Sequence, residues 1–115
     1  MRERGNSGNG GNAALMMRRA VDDMRALSMV LLGQHRFASH AGDVLLLAAV
    51  AIGDMEQRPM TAYKLAAYVG MPRGTVLRRL ARMARAGLVA RDGRRRYGLT
   101  DEGRRRAARA AGKAV

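Results

Sequence analysis

Residues 61–99 decide the fold of this chain, and they run TAYKLAAYVGMPRGTVLRRLARMARAGLVARDGRRRYGL. Thr61 is a good N-cap for a first short helix, because its hydroxyl can accept a hydrogen bond from an unpaired N–H group of the first turn. Gly70 suits the left-handed backbone that often ends a helix, and Pro72 suits the start of the next one. The pattern therefore predicts two helices joined by a tight turn, with the second helix over residues 72–86.

A β-hairpin is expected directly after the second helix. Residues 88–91 and 94–99 are typical of strands, and Asp92-Gly93 between them is a strong signal for a two-residue turn. Thr100 then predicts the cap of a final helix. That helix is rich in alanine and arginine, so we expect it to pack weakly.

The N-terminal part is predicted to be a flexible tail followed by a long helix. The tail is rich in Gly and Asn and has almost nothing to bury. Asn12 is predicted to cap a helix that carries a broad apolar stripe to about Leu32. We expect a second subunit to cover the part of this stripe that the domain leaves open. The alternative is that the domain alone buries it.

Another helix is predicted over residues 44–55, capped by Asp43 after a connection at 33–42. It is apolar nearly all round and is therefore expected to form the buried centre. Together the elements predict a mainly α fold with a small β-hairpin wing, a winged helix–turn–helix. In chain order, the predicted units are the tail at 1–12, the N-terminal helix at 13–38, the winged helix–turn–helix domain at 43–99 and the C-terminal helix at 100–115.

Composition limits the function classes. A chain of 115 residues has room for one domain. It has no cysteine, which excludes disulfides, thiolate zinc sites and thiol redox sensing. No apolar stretch follows the first arginines, and the most apolar run, 44–52, is too short to span a bilayer, so we expect a soluble cytoplasmic protein without membrane contact.

Enzyme chemistry finds little support in the sequence. His35, His40 and Asp43 are a lone cluster of ligand-type residues, and their spacing does not place them on one helical face. Polar loop residues explain them better than a metal site does. We therefore expect no catalytic residues, no metal and no cofactor.

Charge points to a polyanionic partner. The net charge is +13, and it is uneven: residues 1–55 hold six basic and five acidic residues, whereas residues 56–115 hold sixteen and four. A general bias of composition could explain why 20 of the 22 basic residues are arginine. It does not explain why acidic residues become scarce in the second half, which favours nucleic acid as the partner.

The second helix of the helix–turn–helix has two contrasting faces on a helical wheel. The apolar arc contains Val76, Leu77, Leu80, Met83 and Ala84. The opposite arc is rich in Arg, Thr and Gly, which suits base edges and phosphates in the major groove; the alternative is an ordinary solvated basic face. The wing at 91–97 adds arginines for the backbone or minor groove, with Arg94 and Arg96 predicted to share a face. The predicted DNA-binding residues are Lys64, Arg73, Gly74, Thr75, Arg78, Arg79, Arg82, Arg94, Arg95 and Arg96.

Over residues 43–106 the chain resembles winged helix–turn–helix regulators of the MarR-like type. The motifs that carry the resemblance are Leu65-Ala66, Gly70-Met71-Pro72, Thr75-Val76, Leu80, Gly87-Leu88-Val89, the hairpin, and Leu99 to Arg104. The resemblance implies a homodimer that places two recognition helices in successive major grooves of double-stranded DNA and regulates transcription at the nucleoid. If the chain dimerises, its N-terminal helix must supply most of the interface.

An alternative is a winged helix that binds a protein or RNA without operator specificity. RNA binding favours exposed aromatic side chains, and the chain has only four aromatic residues. The sequence does not identify a small-molecule effector, an operator or the direction of regulation.

Overall fold

The computed structural model describes residues 7–32 and 37–114 of the chain. It is mainly helical with a small antiparallel sheet, which confirms the predicted fold class. The elements, in order, are α1 (Ser7–Leu27), a π-helical segment (Ser28–Leu32), α2 (Phe37–Met55), β1 (Met60–Thr61), α3 (Ala62–Val69), α4 (Arg73–Arg85), β2 (Val89–Arg91), β3 (Arg96–Leu99) and α5 (Asp101–Ala114). None of the helices in these two ranges is long and apolar enough to cross a membrane.

Helix α2 forms the centre of the core, as its nearly uniform apolar composition predicts. Val44, Leu46, Leu47 and Val50 on this helix are almost completely buried. Buried side chains of α3 and α4, among them Leu65, surround it. The helix–turn–helix and the wing therefore pack against helix α2.

The sheet has three strands in the order β1-β3-β2, one more than the sequence predicts. Strand β1 pairs antiparallel with β3, with Met60 opposite Tyr97 and Thr61 opposite Arg96. The pairing places the start of α3 directly beside the wing. A two-residue strand carries no periodicity of its own, so this element has no sequence signature.

The wing turn differs from the predicted two-residue Asp-Gly turn. The Arg95 N–H donates to the Asp92 carbonyl at 3.1 Å, and the Asp92 N–H donates to the Arg96 carbonyl at 2.8 Å. Arg95, rather than Gly93, has the positive φ, at 61°. The Asp92 carboxylate selects this longer turn by accepting from the N–H groups of Arg94 and Arg96 at 2.8 and 2.9 Å. Hydrogen bonds from the Arg96 backbone first, and then from Arg94, hold the pKa of Asp92 below its usual value.

The N-terminal predictions require correction at several boundaries. Helix α1 begins at Ser7, so residues 7–12 are helical instead of forming a tail capped at Asn12, while residues 1–6 lie outside the described part. Helix α2 begins at Phe37, inside the predicted connection. Once a helix is nucleated, each added residue gains a backbone hydrogen bond, which extends α1 through weak helix formers. Asp43 consequently lies inside a helix and caps nothing.

Helix α5 packs more closely than its composition suggests. Thr100 caps it as predicted, since its hydroxyl accepts from the Gly103 N–H at 3.1 Å. Gly103 and Ala107 are buried on the domain, and Arg106 donates to the carbonyl of Leu31 at 2.8 Å. The small residues of α5 allow this close approach, which the prediction of weak packing overlooked.

Candidate nucleic-acid interface

The turn between α3 and α4 forms as the sequence predicts. The Thr61 hydroxyl accepts from the Lys64 N–H at 3.3 Å and caps α3. Gly70 has φ 77°, and its N–H donates to the Ala66 carbonyl at 2.9 Å. Pro72 is the N-cap of α4 rather than its first residue. These local features fix where α4 starts and which face it turns outward.

Only part of the predicted apolar arc of α4 is buried. Val76, Leu80 and Met83 face the core, as predicted. Leu77 is 42% exposed, and Ala84 is exposed as well. Both lie at the margin of the arc, which the domain does not cover, so their assignment to the core was wrong.

The exposed side of α4 has a central strip whose residues make no ion pair with the part of the chain that the structure describes. Gly74, Arg78 and Arg85 point away from the core and are exposed. A Cβ atom added at Gly74 would meet no other atom within 4 Å. This strip is therefore open enough for the edge of another macromolecule to approach the helix backbone.

Arg79 and Arg82, both predicted to contact DNA, are bound to Asp43 of α2. Arg79 Nη1 lies 2.6 Å from Asp43 Oδ1, and Arg82 Nη2 lies 3.0 Å from Asp43 Oδ2. Thr75 is half-buried on the same side of α4. Helix α4 thus presents arginines of two kinds, some paired with Asp43 and some without an ion-pair partner among the described residues.

The free cations lie around the outer strip, the start of α4 and the wing tip. They are exposed and have no ion-pair partner within the described part of the chain. The members of this group are Arg73, Arg78, Arg85, Arg91, Arg94 and Arg95. Lys64 is exposed as well, but it lines the cavity near the end of α2, which also contains Arg96 and Glu56. Six exposed guanidinium groups without paired carboxylates among the described residues give this surface its positive potential.

A groove of about 520 Å³ separates α4 from the wing. Arg73, Arg91, Arg94 and Arg95 line it, with Thr61, Ala62, Tyr63, Leu77 and Tyr97, and none of the lining residues that the structure describes is acidic. Arg91 lies within the predicted wing at 91–97, although it is not among the individually predicted DNA-binding residues. Sequence reasoning missed Tyr63, because strand β1 is what brings the start of α3 beside the wing. The groove joins the helix and wing arginines into one basic surface.

Arg96 does not share a face with Arg94, contrary to the prediction. Its Nε lies 3.0 Å from Asp92 Oδ2, and its side chain lines a different cavity, near the end of α2. Arg94 and Arg95 face the groove instead. The longer wing turn causes this difference, because it changes the register of the residues around the tip.

Metal binding finds no geometric basis in the residues that the structure describes. Among them, no three His, Asp or Glu side chains come close enough to hold an ion. His35 lies outside the described residues. Asp43, the third member of the predicted ligand-type cluster, is occupied by arginines.

The arrangement of α2, α3, α4 and a flanking hairpin is that of a winged helix–turn–helix protein. The profile of the Crp-like helix-turn-helix domain family matches residues 27–104, well over half of the chain, and the chain belongs to this family.

Solved structures agree with this fold. A protein of unknown function from Listeria innocua Clip11262 is 17% identical with a TM-score of 0.71, covering 99% of this chain and 76% of the other. A transcriptional regulator candidate from Pseudomonas aeruginosa PA01 is 24% identical with a TM-score of 0.64, covering 95% and 73%. The M. tuberculosis transcriptional regulator MosR is 32% identical with a TM-score of 0.52, covering 85% and 70%. No curated protein matches the sequence significantly.

Proposed function

We propose that this chain is a sequence-specific regulator of transcription that binds double-stranded DNA as a homodimer, in the manner of MarR-like proteins. The observation that carries the proposal is the basic surface formed by the exposed arginines of α4 and the wing, whose connecting groove is lined by no acidic residue in the described part of the chain. Similarity to regulators such as MosR supports it. Such a protein acts in the cytoplasm, at the nucleoid.

The free cations suggest a division of roles. Arg78, at the centre of the exposed strip of α4, would donate two hydrogen bonds to a guanine edge in the major groove. The open space above Gly74 lets the helix backbone approach the bases. Arg73, Lys64 and the wing arginines would bind phosphates or the minor groove. Base contacts would then come from α4, and most of the affinity would come from the cations around it that bind phosphates or the minor groove.

Helix α1 supports the dimer part of the proposal. Its apolar side chains Leu15, Met16 and Val21 are exposed. The molecule is 58 Å long and 27 Å in its other two dimensions. Its radius of gyration is 16.3 Å, whereas a compact domain of this length has about 13 Å. A second copy packed on α1 would cover these side chains and set the distance between two recognition helices.

The test is fluorescence anisotropy with a duplex selected by the protein from a random pool. A scrambled duplex and an RNA of matched sequence serve as controls, each across a salt series. We expect tighter binding to the selected duplex that persists at physiological salt. Equal and steeply salt-dependent binding to all three nucleic acids would contradict the proposal, because it would reveal a non-specific polycation.

One observation favours a second candidate function. Tyr63 and Tyr68 on α3 are 70% and 61% exposed, and exposed aromatic rings can stack on the bases of RNA. A winged helix used for RNA or protein binding, without operator specificity, would use this surface. The RNA control distinguishes the two functions, since preference for RNA that is lost in Tyr63→Ala would support the second.

A further inference from the structure

We propose that Asp43 is a specificity-determining residue, which holds Arg79 and Arg82 on the recognition helix away from DNA phosphates. This inference rests on the proposed function. Its consequence is that α4 binds DNA through fewer, oriented contacts, and that non-specific affinity is lower than the number of arginines on the helix suggests.

Asp43, Arg79 and Arg82 form an ion-pair cluster between α2 and α4. One carboxylate on α2 accepts from two guanidinium groups on α4, 36 and 39 residues further along the chain. The Asp43 side chain is only 14% exposed. Removal from water strengthens its attraction to both cations, in contrast to the weak ion pairs of open surfaces.

Arg79 is the more restrained of the two arginines. Its side chain is 28% exposed, and its Nε is buried without a hydrogen-bond partner among the described residues. A Cβ atom added at Gly42 would lie 3.0 Å from Arg79 Nη1. The absence of a side chain at Gly42 therefore makes room for this guanidinium, which is directed into the domain and not toward a ligand.

Arg82 is held differently, because its side chain is 54% exposed. Its Nη2 donates to both oxygens of Asp43, at 3.3 and 3.0 Å. Its Nε and Nη1 have no partner within the described residues, so Asp43 restrains Arg82 through Nη2. Asp43 thus fixes the direction of Arg82 and offsets part of its charge, whereas Arg78 has no such restraint.

The number of phosphate contacts gives the expected effect on binding. With Asp43 in place, both arginines are bound to its carboxylate and neither contacts a phosphate. Without it, both arginines can turn toward phosphates. Each additional phosphate contact steepens the plot of log affinity against log salt by about 0.9, so that each contact multiplies the affinity lost between 50 and 200 mM salt by about 3.5.

The experiment compares Asp43→Asn with Asp23→Asn, which removes the same charge from an exposed position on α1. Binding to the selected and the random duplex is measured by anisotropy from 50 to 200 mM salt. For Asp43→Asn we expect a salt slope on the random duplex steeper by about 0.9 to 1.8, and a smaller ratio of selected to random affinity. Equal behaviour of the two variants would overturn the inference.

Two further measurements keep the outcomes separate. Wild-type protein that does not prefer the selected duplex contradicts the proposed function, independently of Asp43. If Asp43→Asn fails to fold by circular dichroism, Arg82→Ala takes its place, with Arg95→Ala as the matched loss of a free cation. We expect Arg82→Ala to leave the slope on random duplex unchanged, and a decrease of about 0.9, as for Arg95→Ala, would overturn the inference.

Discussion

Arg78→Ala and Arg95→Ala form a matched pair that separates base reading from phosphate binding. Both variants remove one exposed guanidinium that has no ion-pair partner in the described residues. They therefore change the net charge equally. The positions differ in structure, because Arg78 lies on the central strip of α4, whereas Arg95 lies at the wing tip with φ 61°.

The two variants have different expected magnitudes. A bidentate contact from arginine to guanine contributes about 1–3 kcal/mol of discrimination, which is about 5- to 140-fold in the affinity ratio of selected to random duplex. We expect Arg78→Ala to reduce the affinity ratio of selected to random duplex by this factor. Arg95→Ala should weaken both duplexes by the same factor and reduce the salt slope by about 0.9, as expected for one lost phosphate contact.

Anisotropy titrations of both duplexes with both variants, from 50 to 200 mM salt, provide the measurement. Circular dichroism confirms that each variant is folded. The reasoning is refuted if Arg78→Ala loses equal affinity for the selected and the random duplex, because Arg78 would then bind only phosphate. It is also refuted if Arg95→Ala changes the affinity ratio.

Three further predictions concern stability and assembly. Gly103→Ala should lower the melting temperature, because the new Cβ would overlap the carbonyl oxygen of Leu88. Overpacking of this kind costs about 1–3 kcal/mol, more than the gain of about 1 kcal/mol in helix propensity. Gly74→Ala, with open space around the new atom, should raise the melting temperature. The pKa of Asp92 is lowered mainly by the Arg96 backbone N–H, so the ionised carboxylate stabilises the wing above the unfolded pKa of 3.8 and this stabilisation is lost as pH falls through the lower folded value. The wing amide hydrogens should then exchange faster at acid pH. Asp92→Asn should remove this pH dependence. Val21→Asp should convert the expected dimer to a monomer in light scattering, and an unchanged mass would exclude α1 as the interface.

The elements that the sequence predicts well depend on neighbouring residues alone. Thr61 caps α3, Gly70 ends it with a positive φ, and Gly87 does the same after α4. Each of these features is decided within about four residues of chain, by a hydroxyl within reach of an N–H group or by the absence of a Cβ atom. Residue type and spacing therefore contain the necessary information.

The features that sequence reasoning missed depend on distant contacts. Strand β1 exists because β3, about 36 residues later, supplies its hydrogen bonds. Asp43 has the residue type and spacing of an N-cap, yet its partners are arginines on α4. A helical wheel places Arg78 and Arg82 on one face, but it cannot show that a carboxylate from another helix binds only one of them. The basic outer face of α4 was thus predictable, and the division of its arginines into paired ones and ones without a partner among the described residues was not.

The two carboxylates of α2 explain how a small fold can hold α4 and the wing at fixed positions. Asp43 binds α4, and Asp54 accepts from the Leu99 N–H of β3 at 3.2 Å and from Arg104 Nε of α5 at 3.1 Å. They stand eleven residues apart, which is about 16 Å along a helix. The hydrogen bond to Asp54 is the main reason that the pKa of Arg104 is raised.

The segment between these two carboxylates is buried from Val44 to Val50 except at Leu45 and Ala48, so α2 cannot rotate without exposing the core. Polar contacts on both sides of this buried segment fix α4 and the wing relative to α2. The distance between the exposed strip of α4 and the wing arginines is then a property of α2. On the proposed function, surface substitutions alter affinity, whereas the two aspartates and the core between them set the geometry with which α4 and the wing meet DNA.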